Sequence, residues 1–465
     1  MVWLWTDILI WLLVVLCIIG GYYSSKHPHL REPWKRVAQS SVAVASGTFL
    51  AAFIIVGLLD SLHFKAGEND PDHGEVISAL DVVMRPLRKN QEKTYSAPFA
   101  LHLFAKETVE MPDGSQQRIY PRLKHGGAHL ESQEERAADI YQNVISALLM
   151  ALITWMILVA MVGLWRSEGR TFKETISVWI CVRCRVQLGV SKGFPWPTLL
   201  WTAMLLLILL FLMITLGGKY HILGTDKVGE DVLYQALKSI RTGLVIGTLT
   251  TMVMLPAAIL LGVMAGYFRG WIDDVIQYLY TTLNSIPGVL LIAASVLMLQ
   301  VYMDNHADEF ASVIERADLR LLFLCIILGI TSWTGLCRLL RGEAMKIREL
   351  DYVQASQAFG VSHMRILMRH LVPNVMHIVL ITIVLDFSGL VLAEAVLSYI
   401  NIGVDPTTQS WGNMINSARL EMAREPVVWW SLSAALIFMF TLVLSANLLS
   451  DRVRDAFDPK LRGIQ

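Results

Sequence analysis

Charge is scarce in this chain, and what there is cancels. Asp, Glu, Lys and Arg make up 17% of 465 residues, with 39 basic side chains against 39 acidic ones. So sparse and balanced a charge offers no basic stripe for nucleic acid, and no nucleic-acid partner is expected. Cysteine is equally thin. Of the five, Cys17, Cys325 and Cys337 stand in or beside apolar runs, where a thiol behaves as a small hydrophobe. Cys181 and Cys184 form a single C-x-x-C with no second pair and no nearby histidine pair, which is thin ground for a zinc or redox site. A disulfide framework is not indicated. No G-x-x-x-x-G-K-[S/T] phosphate loop, H-E-x-x-H or G-x-S-x-G occurs, so ATP is not bound by that route and no enzyme constellation is visible. No cofactor or metal is expected in this chain.

Hydrocarbon fills the space instead. The chain is 54% hydrophobic with mean hydropathy +0.51. Apolar runs of about 20 residues identify an all-α polytopic membrane protein. Nine spans are expected, at residues 3–22, 40–59, 144–165, 198–216, 243–268, 289–301 (starting near 283), 321–340, 375–400 and 428–449. No Lys or Arg precedes the first run, which carries Asp7 and is followed by Lys26, Arg31, Lys35 and Arg36. That asymmetry predicts a retained span with its N-terminus outside. The later loops alternate accordingly. Arg166, Arg170, Lys173, Arg183, Arg185 and Lys192 outnumber Glu168 and Glu174 in the segment 166–197, which also holds a candidate interfacial helix with Phe172, Ile176, Trp179 and Ile180. The loop with Asp304, Asp308, Glu309, Glu315 and Asp318 is acidic, residues 338–374 are net basic, and the tail carries Arg452, Arg454, Lys460 and Arg462. The C-terminus is therefore expected in the cytoplasm.

The expected organisation is two N-terminal spans (1–59), a polar extracytoplasmic lobe (60–143), spans three and four (144–217), an outer segment (218–237), a core (238–450) with a polar loop at 341–374, and a cytoplasmic tail (451–465). In the lobe, Asp113-Gly114 and Gly126-Gly127 signal turns, while His63, His73, His102, His125 and His129 are dispersed and read as solvent-facing. The fifth span carries G-x-x-x-G twice, at Gly243–Gly247 and Gly262–Gly266, with Pro256 between. Such pairs let helices approach closely, inside the subunit or with a partner. Asp386 and Glu394 lie in the eighth span, where carboxylates line a polar path, pair across helices or relay protons.

The most informative stretch is 351–374, DYVQASQAFGVSHMRILMRHLVPN. Tyr352, Ala355, Ser356 and Phe359 share a helical face, and Gly360 interrupts the pattern as a left-handed cap does. A second stripe has Met364, Leu367, Met368 and Leu371 aligned, with Arg365, Arg369 and His370 on or near the other side, and Pro373 is expected to end the unit. Two short helices meeting at a glycine between membrane spans form a knob open to grip from outside the membrane. An ordinary interhelical loop is the plainer reading.

The C-terminal half resembles the dipeptide/oligopeptide/nickel branch of bacterial ABC-importer permeases. The resemblance rests on Leu223-Gly-Thr-Asp-Lys-Val-Gly-Glu-Asp-Val-Leu233, Ala265-Gly-Tyr-Phe-Arg-Gly-Trp-Ile-Asp273, the 351–374 stretch, Leu392-Ala-Glu-Ala-Val-Leu-Ser-Tyr399 with Ser410-Trp-Gly-Asn-Met414, and Asp451-Arg-Val-Arg-Asp-Ala-Phe-Asp-Pro-Lys-Leu-Arg462, in the family's order. It covers about half the chain; the first four spans and the lobe are mostly outside it, and of these spans only the fourth corresponds to the family's usual first helix. It implies a type I permease core whose 351–374 knob docks into a groove on a separate ATPase subunit and transmits its closure. By that pattern the coupling residues are Asp351, Tyr352, Gln354, Ala355, Ser356, Phe359, Gly360, Arg365, His370 and Pro373. Gln354 stands where the family has an acid. The implied partners are a second permease, two ATPase subunits or domains carrying ATP and Mg, an extracytoplasmic binding protein, and membrane lipid of the bacterial inner membrane. Asp226, Asp231 and Trp411 become candidates for outer-loop contact or for packing, with Asp386 and Glu394 in or near the pathway. The expected cargo is a short peptide, with nickel or another small solute second. A proton- or ion-coupled transporter and a non-transporting scaffold are the rival readings.

Overall fold

The computed structural model describes residues 2–65, 74, 76–110, 116–165, 193–306 and 312–457. Cys181, Cys184, the stretch around Trp179, His73, the Asp113-Gly114 turn, Asp308, Glu309, Lys460 and Arg462 lie outside the described residues. In chain order the elements begin with α1 (Trp5–Lys26), α2 (Pro28–Gln39) and α3 (Ser41–Asp60). Strands β1 (His63–Lys65) and β2 (Val76–Ser78), helices α4 (Ala79–Val83) and α5 (Arg85–Lys89), and strands β3 (Glu107–Glu110) and β4 (Gln116–Ile119) form the lobe. Then come α6 (Glu135–Trp165), α7 (Trp196–Gly217), α8 (Val232–Phe268), α9 (Trp271–Ser285), α10 (Gly288–Asn305) and α11 (Val313–Arg348). The chain closes with α12 (Asp351–Ala358), α13 (His363–Ile366), α14 (Val372–Tyr399), α15 (Trp411–Glu421) and α16 (Trp430–Phe457). Among the described residues, nine helices are long and apolar enough to cross a membrane, and each overlaps one of the nine expected runs. The sixth does not start near 283: Leu283 belongs to α9, which ends at Ser285, and α10 begins at Gly288 because Pro287 breaks the helix ahead of it. The 37 residues of α8 extend about 55 Å at 1.5 Å per residue, well beyond a hydrocarbon core of about 30 Å, so its polar first turns stand clear of the apolar zone.

The chain forms two compact units. The first comprises Trp34–Arg241 and Gln409–Leu449. Its helices α6 and α7 pack along their length, and the buried indole of Trp155 donates to the Leu200 carbonyl at 2.8 Å, because a Trp N–H away from water needs an acceptor. In the lobe, β1 pairs with β2 and β3 with β4, both antiparallel. Ser78 caps α4 in a reciprocal box with Asp81, the arrangement that satisfies two free N–H groups at once. Lys238 reaches Asp81 at 2.6 Å, and the Tyr234 hydroxyl donates to the same carboxylate at 2.6 Å. Burial pushes the Asp81 carboxyl up, but Lys238 and these hydrogen bonds outweigh it and hold it at about 2.

A second charged clasp ties the lobe to the start of α8. His221 Nδ1 lies 2.8 Å from Asp231, and its Nε2 lies 3.5 Å from Glu92. Glu92 also accepts the backbone N–H groups of Lys124, His125 and Gly126, and Asp231 accepts those of Leu233 and Tyr234 at the helix start. Burial lowers the His221 pKa, yet the two carboxylates prevail and push it up from 6.5 to about 9. A group raised in this way contributes stability that is complete below 6.5 and is lost as pH climbs through about 9. The melting temperature in detergent is therefore expected to fall across that window, and His221→Gln should flatten the alkaline limb. A wild-type profile flat from pH 6.5 to 9 would remove the clasp from the stability of this unit.

The second unit comprises Trp3–Pro33, Thr242–Thr408 and Ser450–Gln465. Its core lies where α8, α11 and α14 meet: Met254, Ala258, Leu336, Leu340, Ala344, Val375 and Val379 are fully buried or nearly so. Close approach of α8 and α11 depends on missing side chains. A Cβ on Gly262 would stand 2.7 Å from the Cys337 carbonyl oxygen, and one on Gly266 2.5 Å from that of Arg341. This G-x-x-x-G pair thus makes a contact inside the subunit. The N-terminal end of α1 joins the same unit, its buried Thr6 donating through both backbone and hydroxyl to Asp318.

Candidate functional site

The stretch 351–374 folds into two arms meeting at Gly360. The first arm, α12, is anchored by Val353, fully buried among Ile347, Ile366, Leu367 and Leu371. It stops because Gly360 adopts φ +70°, a conformation that side chains with a Cβ resist. The Gly360 N–H donates to Gln357 at 3.0 Å and the Val361 N–H to Ser356 at 3.1 Å, the paired bonds of a Schellman cap, which satisfy the last carbonyls of the helix.

The second arm departs from the sequence expectation. Pro373 does not end it. His363–Ile366 passes through a π-turn at Leu367–Leu371 directly into α14, with the Val372 N–H bonding back to Leu367. Proline lacks an N–H and its ring crowds the carbonyl one turn earlier, and a widened turn accommodates both in a continuous helix. The expected stripe also divides. Leu367 and Leu371 turn inward, whereas Met364 and Met368 are 67% and 58% exposed.

The knob is held from behind by the end of α8. The Tyr267 hydroxyl meets His363 Nδ1 at 2.8 Å and receives a hydrogen bond from Gln357 at 3.3 Å, so one side chain ties both arms. Asn374 donates to the Tyr352 hydroxyl at 3.0 Å and to the His370 carbonyl at 2.6 Å, closing the arms at their far ends. His370 packs its ring against Tyr352 at 5.8 Å. Behind this, Arg341 grips Asp273 with two hydrogen bonds of 2.6 and 2.7 Å, and that guanidinium holds the Asp273 carboxyl below the usual range. Arg269 pairs with Glu349 at 2.7 Å just before α12.

The outward surface of the knob is apolar. Phe359 is 87% exposed, and Tyr352, Leu350, Met364 and Met368 are also open. Ala355 is exposed between them, small enough for close approach. Asp351 and Arg365 are exposed at the margin. Gln354 is exposed and donates to the Glu349 carbonyl at 3.2 Å, while the Ser356 hydroxyl donates to Tyr352 O at 2.7 Å and is spent locally. The ten expected coupling residues thus lie in one knob, though Ser356, His370 and Pro373 serve its internal build. Val353, Gln357, Tyr267 and His363 were missed as its supports. Val353 had a legible signal, as the one β-branched residue in an otherwise polar or small helix; Tyr267 lies in the 265–273 motif, but only the fold brings it here.

The remaining candidates are dispersed. In the first unit Asp231 caps α8 within the clasp, and the buried Trp411 donates to the Ala236 carbonyl at 3.0 Å. Asp226 accepts from Gln235 at 2.7 Å and from the N–H groups of Val228 and Glu230; burial pushes its carboxyl up. In the second unit Glu394 is buried and accepts from Ser398 at 2.7 Å. Asp386, half-buried, has no hydrogen-bond or ion-pair partner among the described residues. A carboxylate near the centre of a membrane helix costs roughly 2.5–3.5 kcal/mol to insert, so its lack of a partner is notable.

Residues 258–463 match the family described as binding-protein-dependent transport system inner membrane component. The chain is 32% identical over 248 residues to an oligopeptide transport system permease protein of Mycobacterium tuberculosis, covering 53% of this chain and 79% of that protein. It is 30% identical over 242 residues to a glutathione transport system permease protein of Pectobacterium atrosepticum, covering 52% and 73%. It is 29% identical over 242 residues to a dipeptide transport system permease protein of Bacillus subtilis, covering 52% and 69%. The family match begins inside α8 and takes in the whole knob, while the lobe and the spans before it lie outside.

Proposed function

Because this chain belongs to the family of binding-protein-dependent transport system inner membrane components, permease subunits and not enzymes, we propose that it carries short peptides inward across the bacterial inner membrane by alternating access. ATP and Mg are bound and hydrolysed on two ATPase subunits or domains. A second, homologous permease completes the pathway, and an extracytoplasmic binding protein delivers the cargo. The N-terminus and the lobe lie outside and the knob and C-terminus inside, as the alternation of basic and acidic loops requires.

The observation that carries this reading is the knob. A rigid body with a Schellman-capped turn, braced by Tyr267 and crowned by an 87% exposed Phe359, is built to fill a groove on a soluble partner. Gln354 brings no charge to that contact, so its strength rests on shape and apolar burial. The relatives' names, which specify oligopeptide, dipeptide and glutathione transport, support a peptide cargo.

The test is uptake of a labelled tripeptide into proteoliposomes holding the complex purified through this chain. Uptake is expected to require ATP and to persist when an uncoupler collapses the proton gradient. Uncoupler-sensitive uptake without ATP would establish a proton- or ion-coupled transporter instead. A purified chain that retains no ATPase subunit and moves no solute would establish a scaffold.

A further inference from the structure

The outer segment around Leu223–Leu233 is covered by the lobe and strapped to it through backbone groups. The Thr225 N–H donates to the Ser96 carbonyl at 3.1 Å, the Ser96 N–H to the Thr225 hydroxyl at 2.7 Å, and the Glu92 N–H to the Gly229 carbonyl at 3.0 Å. Gly224 and Gly229 both take positive φ, and a Cβ on either would overlap the Ser96 or the Glu92 carbonyl oxygen. The acids of the segment are spent inward. Asp226 accepts from Gln235 and from its own turn, and Glu230 accepts from Gln235 at 3.0 Å and from Gln409 at 3.3 Å. What stays open is a tip, the exposed Lys227 and the 69% exposed Val228. Two more exposed lysines are held beside it. Lys93 precedes Thr94, whose hydroxyl donates to the Lys227 carbonyl at 3.4 Å, and the Lys124 N–H donates to Glu92 at 2.8 Å. Glu92 itself is buried, and Lys93 meets Glu107 at 2.7 Å while remaining 71% exposed. The exposed Glu131 and Glu134 belong to a separate stretch, on the approach to α6.

We propose that this lysine-edged tip receives the extracytoplasmic binding protein, through an acidic face on that protein, in place of the outer segment that the lobe covers. This rests on the importer reading and names the docking surface for one of its partners. The occupant follows from charge complementarity. Lys93, Lys124 and Lys227 point to solvent while the carboxylates of Asp226, Glu230 and Glu92 are turned inward, so the surface presents ammonium groups to whatever approaches. A partner that must dock and leave in every transport cycle is served by charges of this kind, which steer encounter and set orientation more than they add affinity. Val228 adds an apolar contact among them. The platform is firm, because backbone bonds and two close-packed glycines fix the tip to the lobe. The lobe lies outside the family match, so this docking surface is one that the chain adds to the common core.

The experiment measures how the binding protein encoded beside this chain, loaded with tri-alanine, stimulates ATP hydrolysis by the full complex in lipid nanodiscs. At low salt, Lys93→Glu/Lys124→Glu/Lys227→Glu is expected to raise the half-stimulating concentration at least about 30-fold, since like charges then face each other across the contact. The rate at saturation should fall no more than about two-fold, because the three side chains act on docking alone. In about 1 M salt, where charges are screened within about 3 Å, wild type should weaken towards the variant. Glu131→Lys/Glu134→Lys should stay within about three-fold of wild type. A triple variant within about three-fold of wild type at low salt would overturn the proposal. So would an opposite shift of similar size in Glu131→Lys/Glu134→Lys, which would reduce the effect to net charge. Wild-type complex that hydrolyses ATP but is not stimulated by the loaded binding protein at any concentration would overturn the importer reading, and this assignment with it.

Discussion

Phe359→Ala is expected to cut ATP-driven uptake by roughly 30-fold or more, the effect of losing about 2 kcal/mol at an aromatic anchor. The side chain is 87% exposed, so the free subunit gains little from it and its melting temperature should be unchanged. What the substitution removes is realised only in the complex. A phenyl ring buries about 150–250 Å² when it fills a groove, and Gln354 adds no charge beside it, since it is neutral and already donates to the Glu349 carbonyl. The measurement pairs tripeptide uptake with the amount of ATPase subunit retained on the purified complex. Both should fall together. Full retention with full uptake in the variant would show that the grip lies elsewhere on this surface.

That expectation sharpens a residue that periodicity alone had placed beside Tyr352 and Ala355 without ranking it. In the sequence, Phe359 reads as the last member of an apolar stripe, and an apolar stripe on a helix usually faces a core. Here that general rule does not apply: Val353 is the anchor, and Tyr352, Ala355 and Phe359 stay exposed, as a face that fills a partner's groove must. A one-dimensional pattern yields two faces of a helix, but which is buried depends on Ile347, Ile366 and Leu371, brought in from other elements. The glycine turn was legible because positive φ is a local property of residue type. The continuation through Pro373 was not, because a proline in the sequence signals a stop, and only the folded backbone shows the widened turn at Leu367–Leu371 that accommodates it.

The same division holds across the chain. Nine spans could be read from hydropathy because the bilayer sets one length scale for every crossing. The lobe at 60–143 could not, because its fixing contacts are long-range and polar. Glu92 meets His221, Ser96 accepts and donates around Thr225, and Trp430 donates to the Thr225 carbonyl at 2.9 Å. Asp231 and Trp411 stand within sequence motifs, yet the structure spends one on the cap of α8 and the other on a buried carbonyl.

The supports behind the knob lead to the other large effect. Gly266→Leu is expected to prevent the second unit from assembling normally, while Gly342→Ala, two turns before the end of α11, should be neutral or mildly stabilising. Both positions are helical glycines, and propensity alone favours alanine over glycine by about 1 kcal/mol. Space decides the sign. A Cβ on Gly266 meets the Arg341 carbonyl oxygen at 2.5 Å, Ala344 Cβ at 2.6 Å and the Met345 nitrogen at 3.0 Å, whereas one on Gly342 meets nothing within 4 Å. Two of those three atoms are helix backbone, so α8 and α11 must separate to admit even one methyl. Gly266→Ala should accordingly cost about 1–3 kcal/mol, read as a lowered melting temperature in detergent, with Gly266→Leu beyond that range. The consequence for transport follows from the next residue. Tyr267 bridges His363 and Gln357, so a shift of α8 at 266 withdraws the brace that joins the two arms of the knob. Uptake in Gly266→Ala should therefore fall further than the loss of folded protein accounts for, and the ATPase subunit should dissociate more readily. If uptake per folded complex stays at the wild-type level in Gly266→Ala, Tyr267 is not what keeps the knob rigid.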